Sequence, residues 1–342
     1  MVTHSNSFNA TDNSTVSTYR RLLIDGEPTL TIADLADRTG TSTERVNSYW
    51  VAMGFAPAKD NEPTFTEADL RAYQAWTKLI ESGQIDVNTA LSFARAGSHI
   101  ADRLALWQME ALVDDLSRRF RLDDTTARIT ALDRFRDFLP FLQDHMTYTW
   151  KRQLESLLTR VDQEVSHRGQ GEQPGTFPLT RTFGFVDMVS YTSSSSNLTE
   201  RDLIDLINRF ETICRETIPA AGGRVVKMIG DAVFYIADDL PTGLCVVSSL
   251  IERLTSDKNL LPVRASVVQG SVFSRSGDVF GPPVNLASRL ADVAPVGQIL
   301  TDPETAHRII KGEGGEHFLA EPAKEADLRG VGKVMPFRVV VK

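Results

Sequence analysis

The sequence predicts an α+β chain in two parts, an all-α helical first half and an alternating β and α second half. Three observations predict it. Apolar residues recur with helical spacing from Tyr19 to about Val165, and a run with no apolar residue follows at Ser166-His-Arg-Gly-Gln-Gly-Glu-Gln-Pro-Gly175. Beyond that run, short β-forming segments alternate with amphipathic ones. The chain has 342 residues, 42% of them hydrophobic and 24% charged, which is enough apolar surface for a packed core. At roughly 100 to 200 residues per domain, two domains are expected.

In order, residues 1–18 are polar and rich in Ser, Thr and Asn, and are expected to form a disordered tail. Residues 19–165 follow as a helical domain. Thr31-Ile-Ala-Asp-Leu-Ala-Asp-Arg-Thr-Gly40 is a short amphipathic helix closed by a glycine, and Ser42 to Val51 starts a second. Thr66 caps a third that runs through Trp76 and Leu79. Further helices are expected at Val87 to Phe120, interrupted near Gly97, and at Thr125 to Val165, broken or kinked at Pro140. Residues 166–179 read as a linker. Residues 180–342 then give strands at Arg181 to Val186, Arg224 to Lys227, Ala232 to Ala237, Val263 to Val268, Gln298 to Thr301 and Phe337 to Val341. Helices fall at Glu200 to Ile218, Leu240 to Leu254, Val284 to Ala291 and Pro303 to Ile310. Strand, helix, hairpin, helix, strand is the ferredoxin-like βαββαβ order, with additions.

Composition narrows the function. The formal net charge is -8, which argues against bulk binding to nucleic acid or to an anionic membrane surface. No apolar stretch approaches the roughly 18 to 20 residues of a membrane span, and the N-terminal segment lacks a secretory apolar core, so a cytoplasmic protein is expected. The two cysteines, Cys214 and Cys245, fall in helical apolar patterns, where burial as packing residues is expected.

Three separated segments put polar residues where apolar strands end. In Phe183-Gly-Phe-Val-Asp187-Met-Val-Ser-Tyr-Thr192 a carboxylate follows directly on a buried-looking strand. In Val225-Val-Lys227-Met-Ile-Gly-Asp231-Ala-Val-Phe234 a second carboxylate sits at the tight turn of a hairpin. Antiparallel pairing would bring Asp187 and Asp231 close together. Two carboxylates so placed repel unless a divalent cation lies between them, and oxygen-only ligation suits Mg²⁺ or Mn²⁺ with phosphate. The third segment is Asp278-Val-Phe-Gly-Pro-Pro-Val-Asn285-Leu-Ala-Ser-Arg289-Leu290. Pro282 and Pro283 suit a helix start, so Asn285 and Arg289, four apart, share one face. An amide and a guanidinium there can orient a sugar and neutralise a phosphoryl oxygen. Singly, each residue has an ordinary use as a turn Asp, a solvated Lys or a surface pair; the joint pattern is what points to chemistry.

On these residues the region from about Thr180 to Lys342 resembles the catalytic domain of the class III nucleotidyl cyclases. The family's first metal aspartate, in a Phe-x-Asp-(Ile or Met)-Val-x-(Phe or Tyr)-Thr context, falls on Asp187, and its second, in Gly-Asp at the hairpin, on Asp231. The base-selecting lysine falls on Lys227 and its aspartate partner on Asp278; the transition-state asparagine and arginine fall on Asn285 and Arg289. The resemblance therefore implies an adenylate cyclase that turns ATP into 3′,5′-cyclic AMP and pyrophosphate with two divalent cations, Mg²⁺ or Mn²⁺. A guanylate cyclase would typically carry Glu and Cys in place of Lys227 and Asp278. It implies a homodimer with shared sites, and backbone N–H groups of Met188, Val189, Ser190, Tyr191 and Thr192 are expected to cradle phosphate. The connection from Gly270 to Asp278 is shorter than in many relatives, which leaves Arg275, Arg264 and Lys333 as candidates for the pyrophosphate contact.

The first half has a helix, turn, helix rhythm between Leu30 and Trp76, similar to a helix-turn-helix. Arg38, Arg45, Lys59 and Arg71 stand there against Asp34, Asp37, Glu44, Asp60, Glu62, Glu67 and Asp69, a poor surface for phosphate, so contact with nucleic acid is disfavoured. The alternative function, a nucleotide-sensing one-component transcription regulator, needs that surface. A helical domain before the linker resembles the autoinhibitory modules of some actinobacterial cyclases, so residues 19–165 are expected to dimerise and gate the catalytic pair in response to a ligand or to pH. His145 and His167, in or beside the last helix, are of the residue type that titrates near neutrality.

Overall fold

A computed structural model describes residues 15–168, 179–189, 191, 198–275 and 277–342. These divide into two compact units, Met1–His167 and Arg168–Lys342.

In the first unit, α1 (Thr15–Ile24), α2 (Ile32–Thr39), α3 (Thr43–Ala52) and α4 (Glu67–Glu81) precede two long helices, α5 (Val87–Phe120) and α6 (Asp124–Arg168). Side chains that compete for backbone hydrogen bonds set the starts. Thr31 and Thr66 each accept from the backbone N–H three residues on, while Asp34 and Asp69 reach back to the cap, satisfying donors that a helix start leaves orphaned. Ile32, Leu35, Val46, Tyr49, Phe65, Leu70, Tyr73 and Trp76 then form one core. The rings of Tyr49, Tyr73 and Trp76 lie 5.1–5.6 Å apart, in the range where aromatic pairs attract.

The structure corrects three expectations here. A helix begins at Thr15, inside the segment read as tail, and the Tyr19 hydroxyl donates to the Leu132 carbonyl of α6. Helix α5 runs through Gly97 without a break: next to it the Ser98 hydroxyl donates to the Met53 carbonyl at 2.5 Å, so tertiary contact outweighs a glycine's modest helical cost. Pro140 lies inside α6 and does not break it, which is compatible with the expected alternative of a kink. The segment read as a linker is helical up to Arg168 and becomes strand at Leu179; its remainder lies outside the described residues.

The second unit is built on β1 (Leu179–Met188), α7 (Glu200–Ala220), β2 (Arg224–Ile229), β3 (Ala232–Ala237), α8 (Leu240–Ser256), β4 (Val263–Ser266), β5 (Val268–Arg275), β6 (Asp278–Phe280) and α9 (Pro282–Val293). It is completed by β7 (Ile299–Thr301), α10 (Pro303–Ile310), β8 (Phe318–Pro322), β9 (Ala326–Leu328), β10 (Gly332–Val334) and β11 (Phe337–Val341). One sheet runs β2-β3-β1-β4-β7-β11-β8, antiparallel except for β4 beside β7. The β5–β6 hairpin joins β1, and β9–β10 forms a separate pair. The α+β class and helical first half are as predicted; the β5–β6 hairpin and β8 to β10 were not legible, because they are short and lack a clean alternation.

Strand alternation sends Val186 and Met188 of β1 to the face covered by α7 and α8, and Phe183 and Phe185 to the face covered by α9. Asp187 is the next member of the α9-facing row. Its strand also changes partner: Leu179 to Phe183 pair with β5, Val186 to Met188 with β4. The crossing occurs at Gly184, where a Cβ would lie 1.9 Å from the Ser266 carbonyl oxygen and 2.7 Å from the Tyr235 hydroxyl. Only glycine lets the two backbones approach that closely. Of the cysteines, Cys214 is buried and Cys245 is exposed on α8, contrary to the packing role expected of both. Among the described residues no helix is long and apolar enough to cross a membrane.

Candidate active site

Asp187 and Asp231 reach one place by register. In the β1–β3 ladder Asp187 faces Ala232, and the Met188 N–H donates to the Asp231 carbonyl at 3.1 Å. The β2–β3 turn itself depends on Gly230, whose φ of 60° is left-handed. Arg264 faces Asp187 across the β1–β4 ladder, and its Nε and Nη2 donate to Asp187 Oδ2 at 3.0 and 2.8 Å. Burial pushes the Asp231 carboxyl above its ordinary range, with the negative charge of Asp187 adding to it, against its own backbone N–H and Arg264. Arg264 is the positive charge at this pair, and it engages the Asp187 carboxylate through one oxygen. The donors are oxygens only, and among the described residues no group of three or more His, Cys, Asp or Glu stands together.

A second pair lies on β2 and β6. A bulge between Val225 and Lys227 sets Lys227 opposite Phe234, and its Nζ donates to Asp278 Oδ2 at 2.5 Å. Nζ also stands 6.0 Å from the Phe234 ring centroid. Burial works to raise the Asp278 carboxyl, but the Lys227 hydrogen bond, the Val279 N–H and the lysine charge outweigh it and hold the group below its usual range. A fixed donor and a fixed acceptor thus stand side by side.

Helix α9 carries Asn285, exposed, and Arg289, half-buried, with Ala287, Leu290 and Ala291 in the core beneath. Arg289 Nη1 donates to Asp292 Oδ2 at 3.0 Å. Of the basic candidates, Arg264 stands at the aspartates; Arg275 lies exposed on β5 beside Asp278 in the β5–β6 register, and Lys333 lies exposed on β10.

The expected phosphate cradle needs correction. The Met188 N–H is taken by Asp231 and the Val189 N–H by the Pro262 carbonyl at 2.7 Å, so neither is free for an anion. Strand pairing continues past the strand end and uses them. Tyr191 packs against the core, while Ser190 and Thr192 lie outside the described residues. His145 stacks on Phe141 at 5.5 Å within α6; the side chain of His167 lies outside the described residues.

The adenylate and guanylate cyclase catalytic domain matches residues 180–340. The adenylate cyclase of Glutamicibacter nicotianae is 35% identical over 333 residues, which is 95% of this chain and 82% of that one. The chain belongs to the class III adenylate cyclase family. The adenylate cyclase of Streptomyces coelicolor is 32% identical over 339 residues, 92% of this chain and 87% of the relative. Both likenesses extend beyond the cyclase domain into the helical half. Among solved structures, the guanylate cyclase domain of RhGC from Catenaria anguillulae in complex with GTP matches 48% of this chain and 97% of its own, with a TM-score of 0.42 and 21% identity. The reading of the cyclase domain's sequence missed Asp292, although its spacing of three from Arg289 on a helix is a signal for a side-chain pair.

Proposed function

We propose that this chain converts ATP to 3′,5′-cyclic AMP and pyrophosphate, at sites that two copies build together. The observation that carries the reading is the Lys227–Asp278 pair. Adenine presents an acceptor at N1 and a donor at N6, which a lysine and a carboxylate complement; guanine presents the opposite pattern and would leave both groups mismatched.

Asp187 and Asp231 fit a pair of divalent cations: two carboxylates supply oxygen donors, one of them raised by burial and, less, by its neighbour's negative charge, with further oxygens left for substrate phosphate to supply. Bound there, Mg²⁺ or Mn²⁺ would acidify the ribose 3′-hydroxyl and clamp the triphosphate. The residues of this chain do the rest. Lys227 and Asp278 hold the base. Asn285 orients the ribose so that its 3′-oxygen lies in line with the α-phosphorus. Arg289 offsets charge growing on the α-phosphoryl group, an effect commonly worth a few kcal/mol.

Residues 19–165 are read as the gate. Helices α5 and α6 expose Phe93, Ile100, Trp107, Phe141 and Trp150 along their lengths, and a second copy would cover them. A change in how those helices pair would alter how two cyclase domains meet. The test is formation of cyclic AMP by the full chain from ATP with Mn²⁺ or Mg²⁺. Product is expected, GTP should be a poor substrate, and Asp187→Ala should abolish turnover. Absence of product with either metal, or equal use of GTP, would overturn the assignment.

A further inference from the structure

Arg289 is held in the free chain by Asp292, and the hold is built from three directions. The carboxylate of Asp292 takes one Nη of Arg289 at 3.0 Å. Its backbone carbonyl accepts from Arg264 Nη1, and that same guanidinium grips Asp187 through its other two nitrogens. The last turn of α9 is therefore tied to β4 and β1 at the residue that holds Arg289. Asp292 also stands near the C-terminal end of α9, a helix with no basic residue in its last turn. A carboxylate there opposes the helix dipole, so helix stability does not account for it.

We propose that Asp292 is a positioning residue for Arg289. Its carboxylate engages one Nη and leaves Nε and the other Nη free for phosphoryl oxygens. An arginine side chain has several rotatable bonds, and ordering it in advance removes that cost from the transition state. Anchoring through Arg264 makes the hold precise, because the carboxylate rides on a backbone fixed to the sheet. The inference rests on the reading of Arg289 as the residue that faces the α-phosphoryl group.

Asp292→Asn isolates the effect, since it keeps the shape and the backbone carbonyl bonded to Arg264 while removing the charge. In the full chain, kcat is expected to fall about five- to tenfold with KM for ATP changed less than about twofold, as for loss of one charge-assisted contact expressed in the transition state. The thermal midpoint should not move, because both side chains are substantially exposed. Asp292→Glu should recover much of the loss, and adding Asp292→Asn to Arg289→Lys should cost nothing further. Wild-type kcat in Asp292→Asn, or the same proportional loss in the Arg289→Lys background, would overturn the proposal. If Arg289→Lys itself leaves kcat intact, the reading of Arg289 fails first and this inference falls with it.

Discussion

At Asp231 burial and the nearby charge of Asp187 raise the carboxyl pKa, so the folded chain binds that proton more tightly than the unfolded one. Its ionised form is therefore penalised in the fold: stability from this group is highest below the ordinary value of 3.8 and falls as pH rises through the raised folded value. Asp231→Asn removes the penalty, and the thermal midpoint of the cation-free chain should rise at neutral pH, with the gain shrinking in acid. Cyclic AMP formation should be lost in the same variant. A lower midpoint at neutral pH would contradict the sign. This is the pattern of a group that stability disfavours and the proposed chemistry requires. Lys227 illustrates the complementary point. As a residue type it looked like a solvated strand lysine, and only the β2 bulge and the Asp278 carboxylate give it a partner.

In α6 the Tyr19 hydroxyl both donates to the Leu132 carbonyl and accepts from the Arg136 N–H at 3.0 Å, so it inserts into one rung of the helical ladder. One turn later Pro140 has no N–H for the Arg136 carbonyl. Two adjacent rungs are thus weakened in a helix of 45 residues, which is the usual cause of a bend. Tyr19→Phe removes the hydroxyl that fastens α1 to α6. Stability should drop by about 1 kcal/mol, the net worth of a typical hydrogen bond. Amide exchange in α1 should rise as well; unchanged exchange there would show that the hydroxyl does not hold it. The helices and their caps were legible because a Thr followed three residues later by an Asp is a local signal. The Tyr19 contact was not, since its two ends are 113 residues apart.

For the whole molecule, one chain carries both the aspartate group and the nucleotide-facing group, so sites shared by two copies predict complementation. Asp187→Ala and Arg289→Ala proteins should each be nearly inactive alone. Mixed, their heterodimers hold one intact site, and a random mixture should recover about a quarter of wild-type activity by symmetry counting. No recovery after verified subunit exchange would place all the groups in a single chain's site. Most of the negative charge lies before Gly175, which leaves the cyclase half closer to neutral and better suited to a polyanionic substrate.

The sequence by itself determined the two-part α+β organisation, the helix starts and the identity of six polar residues at strand and helix ends, because these are written in spacing, capping and turn chemistry over a few residues. Only the tertiary structure decided what those residues touch. Asp187 meets Arg264 through strand register, Lys227 meets Asp278 through a bulge, the Met188 and Val189 amides are spent on pairing, and Arg289 finds Asp292 on a helix end tied to the sheet. Each of these is a contact or a lost donor set by backbone geometry between distant segments. Composition and periodicity carry no record of it, which is why the acidic, two-domain chain needed its fold before its chemistry could be placed.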